Sequence, residues 1–104
     1  MKSTLKKFKI QLYPKVFQNL DDIYSYILNE IKEPLIAKRK IDRLWEGIGS
    51  LEFFPYSHQD RLVGKYANKG YKQLIIGNYV VIYKIDEQNG IVFIITIQYA
   101  GRNI

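Results

Sequence analysis

Two stretches of helical periodicity, set back to back and followed by nothing but strand patterns, limit this chain more than any other feature. In the first, Val16, Phe17, Leu20, Ile23, Tyr24, Ile27, Leu28 and Ile31 recur at three- and four-residue steps. That spacing puts an apolar stripe on one side of a helix. Pro14 suits its first turn, where the missing N–H costs nothing. Lys32-Glu33-Pro34 interrupts the pattern, and a second stripe follows in Ala37, Ile41, Leu44, Trp45, Ile48 and Leu51. So short a break predicts an antiparallel helical hairpin. Gly47 and Gly49 weaken the second helix near its end, and Phe53-Phe54-Pro55 closes the unit.

The period changes on either side of this hairpin. Ahead of it, Leu5 to Leu12 alternates, with Phe8, Ile10 and Leu12 on one face and Lys7, Lys9 and Gln11 on the other, as in a half-exposed strand. After a polar loop from Tyr56 to Asn68, three strands are expected over roughly 71–76, 79–85 and 91–100. They are divided by the tight-turn signal Gly77-Asn78 and by the longer Asp86-Glu87-Gln88-Asn89-Gly90. The order β-α-α-β-β-β predicts an α+β fold, the hairpin lying across one face of a mainly antiparallel sheet. At 104 residues, one domain spanning 1–104 is expected. If Gly77-Asn78 is a two-residue loop, Lys72 stands opposite Tyr83 and shares a face with Tyr79 and Val81. A three-residue loop would put Val80 and Ile82 on that face instead.

Charge narrows the choice of partners. The net charge is +6, which points to an acidic or polyanionic partner. From Arg61 to Ile85 the sequence carries Arg61, Lys65, Lys69, Lys72 and Lys84 with no acid among them. Interleaved with Tyr79, Tyr83 and Tyr99, and with Arg102 beyond, these cations could hold phosphates and stacked bases or dock an acidic protein. Exposed lysines kept for solubility, and tyrosines packed as core, are the plain alternative. Lys38-Arg39-Lys40-Ile41-Asp42-Arg43 is a charge run of the kind that is mostly a solvated helix face with internal pairing, and is weak evidence for a nucleic-acid or partner surface. His58, the one histidine, lies in a polar loop where it could be a general base with Asp60 as orienter, although a lone loop histidine is more often just solvated.

Other chemistries are not signalled. Without cysteine there is no disulfide framework or thiolate metal site, and no phosphate loop, HExxH or nucleophile elbow occurs. No cofactor or metal is expected. The basic N-terminus lacks an apolar continuation, and the longest apolar run, Ile91 to Ile95, is too short for a bilayer. A cytoplasmic protein without membrane attachment is expected.

The assembled pattern resembles the RelE/ParE superfamily, toxins of type II toxin–antitoxin modules. The resemblance runs through the opening strand, Leu20-Asp21-Asp22-Ile23-Tyr24-Ser25-Tyr26-Ile27, the second helix ending in Phe54-Pro55, then Tyr71-Lys72-Gln73-Leu74, Tyr79-Val80-Val81-Ile82-Tyr83 and Tyr99-Ala100-Gly101-Arg102. It implies a toxin causing growth arrest, a cognate antitoxin that neutralises it, and contact with operator DNA only through that antitoxin. The RelE branch cleaves mRNA on the ribosome with cations on the sheet; the ParE branch binds DNA gyrase. Carried onto this sequence, Lys72 and Arg102 match RelE cations and Tyr99 stands nearest its terminal aromatic. A second lysine falls on Leu74 and an arginine on Val80. With two cations replaced by apolar residues, the resemblance favours the ParE-like mode. Arg61, Lys65, Lys69, Tyr79 and Tyr83 are then the candidate binding residues. The RelE-like endoribonuclease is the alternative, and a decayed toxin retaining only antitoxin binding is a third reading.

Overall fold

The computed structural model describes residues 6–100. In chain order the elements are β1 (Lys9–Leu12), α1 (Pro14–Ile31), α2 (Pro34–Ser50), a 3-10 turn at Pro55–Ser57, β2 (Lys72–Ile76), β3 (Tyr79–Asp86) and β4 (Ile91–Tyr99). Both helices begin on a proline, and α1 ends where Lys32 enters the left-handed region (φ 61°). Pro34 then forces a new start, because a proline cannot continue a helix. The expected α+β order and the helical hairpin are both present.

The four strands lie in the order β1-β4-β3-β2. Strands β2, β3 and β4 form an antiparallel meander, while β1 runs parallel to β4. A parallel neighbour needs a long connection, and the helical hairpin begins it. α1 packs on β4 and α2 on β2. Between helices and sheet sit Val16, Leu20, Leu44, Ile48, Leu51, Leu74, Val81, Tyr83, Val92, Ile94 and Ile97, all buried. Burial of each aliphatic side chain in that set contributes about 1.5–3 kcal/mol. Phe8 joins them while Lys9 and Gln11 are exposed, so the alternation expected of β1 is kept. Leu5 lies outside the described residues.

The turn between β2 and β3 is the two-residue loop. Ile76 pairs with Tyr79 and Lys72 with Tyr83, and Gly77 takes φ +59° as the first turn residue of a type II′ hairpin requires. Between β3 and β4 the register is broken. Ile82 pairs with Thr96 but Tyr83 with Ile94, leaving Ile95 as an extra residue. This is a β-bulge. Up to Ile94 the even positions of β4 face the helices; beyond the bulge Ile97 does so, and Ile95 joins Val80 and Ile82 on the opposite face. Asn19 of α1 holds the irregular backbone. Its Oδ1 accepts from the Thr96 hydroxyl and from the Ile97 N–H, each at 2.9 Å.

Gly47 has a packing reason that the sequence did not reveal. A Cβ there would collide with the Cδ1 of Ile76, so glycine lets α2 lie close to β2, whereas a Cβ at Gly49 would meet nothing within 4 Å.

Two expectations follow. Asn19→Ala should cost about 1–3 kcal/mol in urea denaturation, because it leaves the Ile97 N–H and the Thr96 hydroxyl buried without an acceptor. Gly47→Val should cost about 1–3 kcal/mol by overpacking, while Gly49→Ala should raise stability by about 0.5–1 kcal/mol through helix propensity. Equal effects at the two glycines would contradict the close approach.

Candidate functional site

Among the described cations singled out in the sequence, Lys72 stands apart from the rest. Lys72 opens β2 on the helix-facing side. Its ammonium donates to the His58 carbonyl (3.0 Å) and to Asp60 Oδ1 (2.9 Å), and its side chain is only 20% exposed. Segment 58–60 holds this position by running beside the edge of β2. Asp60 bridges to Lys72, and the Gln73 N–H donates to the Gln59 carbonyl at 2.9 Å. A lysine so tied is partly neutralised, and the adjacent carboxylate would repel a phosphate. His58 sets its ring edge-on to Tyr83, centroids 6.4 Å apart, and Asp60 serves the lysine.

Tyr99 lies at the opposite end of the sheet, paired with Tyr79. Tyr79 and Tyr83 are four residues apart on β3, so the Tyr99 and Lys72 positions are separated by about 13 Å along the strand. Arg102 lies outside the described residues.

The outer face of the sheet is covered by the polar loop. Arg61 reaches Gln73 Oε1 (2.8 Å) and Gln98 Oε1 (3.5 Å) and buries its Nε without a partner. Tyr66 and Tyr71 meet edge to face at 5.1 Å over the cluster of Val80, Ile82 and Ile95. Lys65 sits over the Tyr66 ring (5.7 Å) and Lys84 over the Tyr71 ring (5.2 Å). Lys69 is exposed in the same loop. Arg61, Lys65 and Lys84 thus share this face, with two tyrosines the sequence reading had not selected.

Tyr83, expected among the binding residues, is a core residue. Its ring has no exposure and its hydroxyl donates to the Pro55 carbonyl at 2.6 Å. Tyrosine in a central strand satisfies burial and hydrogen bonding together, so its presence in the sequence carried no sign of a surface role.

The helices also expose apolar side chains that the core does not use. Phe17, Tyr24 and Trp45 remain 53%, 38% and 41% exposed. With Leu20, Asp21 and Ile41 they line an open groove of ≈ 340 Å³ between α1 and α2. The signal was present in the sequence: the stripe on α1 is too wide for one interface, since Val16, Leu20 and Ile27 already fill the buried side. Contiguous apolar surface with a polar rim marks a protein-docking face. On the polar side of α2 the charge run pairs internally, as expected, with Lys38 and Asp42 2.9 Å apart.

Among the described residues, no group of three His, Asp or Glu side chains is placed to hold a metal ion, and no helix is long and apolar enough to cross a membrane.

A helical hairpin on a four-stranded mixed sheet is the fold of solved toxin–antitoxin structures. The chromosomal ParDE system from P. aeruginosa aligns with a TM-score of 0.74 at 16% identity, covering 90% of this chain and 97% of that one. The RelBE2 complex from Mycobacterium tuberculosis aligns at 0.63 and 16% identity, covering 94% and 97%. The archaeal RelE–RelB complex from Pyrococcus horikoshii aligns at 0.62 and 16% identity, covering 93% and 99%. Among curated proteins, none matches the sequence. Residues 10–104 match the family described as the ParE toxin of the type II toxin–antitoxin system, parDE. The chain belongs to that family of toxins.

Burial, reinforced by the charge of Asp60, pushes the phenol of Tyr83 well above its ordinary range. The fold therefore favours the neutral ring. This contribution is complete below the unfolded value near pH 10 and is lost as pH rises above it. Tyr83→Phe should cost about 1–3 kcal/mol at pH 7, because the Pro55 carbonyl loses its donor. It should also flatten the loss of stability between about pH 9 and 11. Urea titrations of both proteins across that range decide the matter; parallel curves would show that Tyr83 is not the group responsible.

Proposed function

We propose that this toxin arrests growth in the cytoplasm by binding a protein target, DNA gyrase, with no active site of its own. The observation that carries this reading is the fate of Lys72. The one described residue that matches a nuclease cation is spent on Asp60 and the His58 carbonyl, and the aromatic candidate Tyr99 stands at the far end of the sheet. Phosphodiester cleavage needs free, convergent charge at the phosphate, each positioned donor contributing about 2.7–4 kcal/mol by analogy with an oxyanion hole. A cognate antitoxin is the natural cover for the exposed Phe17, Tyr24 and Trp45 groove, and operator DNA is reached only through it.

The test compares two assays on the purified chain. Gyrase supercoiling should be inhibited, and mRNA on programmed ribosomes should stay intact in a toeprint. Lys72→Ala should change gyrase inhibition by no more than about twofold, under 0.5 kcal/mol. A-site cleavage that disappears in Lys72→Ala or Arg102→Ala would overturn the proposal in favour of a ribosome-dependent endoribonuclease. In the same protein, Trp45→Asp should weaken neutralisation by the antitoxin.

A further inference from the structure

The bulge in β4 creates a cleft that neither the groove on the helices nor the outer face of the sheet accounts for. By shifting the alternation, it turns Tyr99 to the helix side, next to Tyr79. The two rings lie 5.6 Å apart at 56°. Tyr26 of α1 completes the walls with Ile23, and Asp22 stands on the same helix; the cleft measures ≈ 290 Å³. Tyr26 and Tyr99 are 61% and 65% exposed, while Tyr79 is half-buried at the base. Burial of Tyr79, with its two neighbouring phenols, raises its pKa and favours its neutral form.

Three aromatic faces and one carboxylate form the chemistry that selects a cation. The surroundings sharpen the contrast. In a chain with 16 Lys and Arg against 10 Asp and Glu, none of the described residues that line the cleft is basic. The basic run of α2 approaches it at Tyr79, which also lines a water-sized crevice of ≈ 20 Å³ with Lys40 and Arg43. Asp22 keeps acceptor capacity, since among the described residues only its Oδ1 takes a hydrogen bond, from Gln18 at 2.9 Å. A planar guanidinium can stack on a tyrosine and reach a carboxylate with the same fork, which a compact ammonium does less well.

We infer that the cleft of Tyr26, Tyr79 and Tyr99 beside Asp22 receives an arginine side chain presented by a protein partner. The inference rests on the reading that this toxin works by binding proteins. It adds a pocket with a stated occupant at the end of the sheet, away from the groove on the helices.

The probe is N-acetyl-arginine amide, titrated into the purified chain while the tyrosine ring signals are followed by NMR. Saturable shifts at Tyr26, Tyr79 and Tyr99 are expected. The isosteric neutral N-acetyl-citrulline amide should bind at least about fivefold more weakly, as loss of the cation requires. Asp22→Asn, an exposed change that leaves the fold intact, should weaken the arginine probe about threefold. Citrulline binding as tightly as arginine, shifts confined to Tyr66 and Tyr71, or no saturable shift at all would each overturn the inference. Because the cleft is read directly, such a failure would leave inhibition of gyrase, measured separately, untouched.

Discussion

The hydrogen bonds from Thr96 and Ile97 to Asn19 fix which side of the sheet each half of β4 belongs to. Alternation alone would place Ile95, Ile97 and Tyr99 on one face. The extra residue at Ile95 divides them, sending Ile97 to the helix-side core and leaving Ile95 with Val80 and Ile82. A bulge leaves backbone groups unpaired, and an orphaned buried N–H costs a large share of a small protein's stability. One amide oxygen on α1 removes that cost and anchors α1 to β4 at the same point. The tyrosine cleft on the helix side is a consequence of that junction.

Much of the fold was legible because it rests on local rules. The proline starts, the break at Lys32-Glu33, the alternation of Phe8, Ile10 and Leu12, and the Gly77-Asn78 turn are each fixed by neighbours in sequence. The bulge was not legible. Ile91 to Ile97 is apolar at all but one position, so no alternation exists to reveal a slip, and the residue that stabilises it lies 77 positions away. The site suffered in the same way. Lys72 looked free because Asp60 is twelve residues distant across a loop, and only the pairing of segment 58–60 with the edge of β2 brings them together. Tyr83 looked like a surface aromatic until the Pro55 carbonyl claimed its hydroxyl.

The excess of positive charge takes on a particular meaning in this arrangement. Lys65 and Lys84 lie over tyrosine rings and Arg61 over glutamine amides, so much of the basic stretch from 61 to 85 is engaged in holding its own loop to the sheet. Such charges still contribute to the field around the molecule. That field raises the encounter rate with acidic partners and falls away within about 8–10 Å at ordinary ionic strength. The field acts at a distance and the apolar groove and the tyrosine cleft only on contact, so substitutions on these separate surfaces can be read separately.

The positions where the RelE pattern would place further cations argue in the same direction. Leu74 is buried at 8% exposure against the helices, and Val80 at 4% beneath the Tyr66–Tyr71 pair. Neither is a surface site that happens to lack charge. A lysine at Leu74 or an arginine at Val80 would have to bury its head without a partner or displace the packing above it, and burying an unpaired charge is prohibitive. The apolar residues therefore belong to a sheet whose outer face is closed by its own loop. The loss of the cations and the covering of that face are one structural commitment, which supports binding over cleavage more strongly than two missing charges would alone.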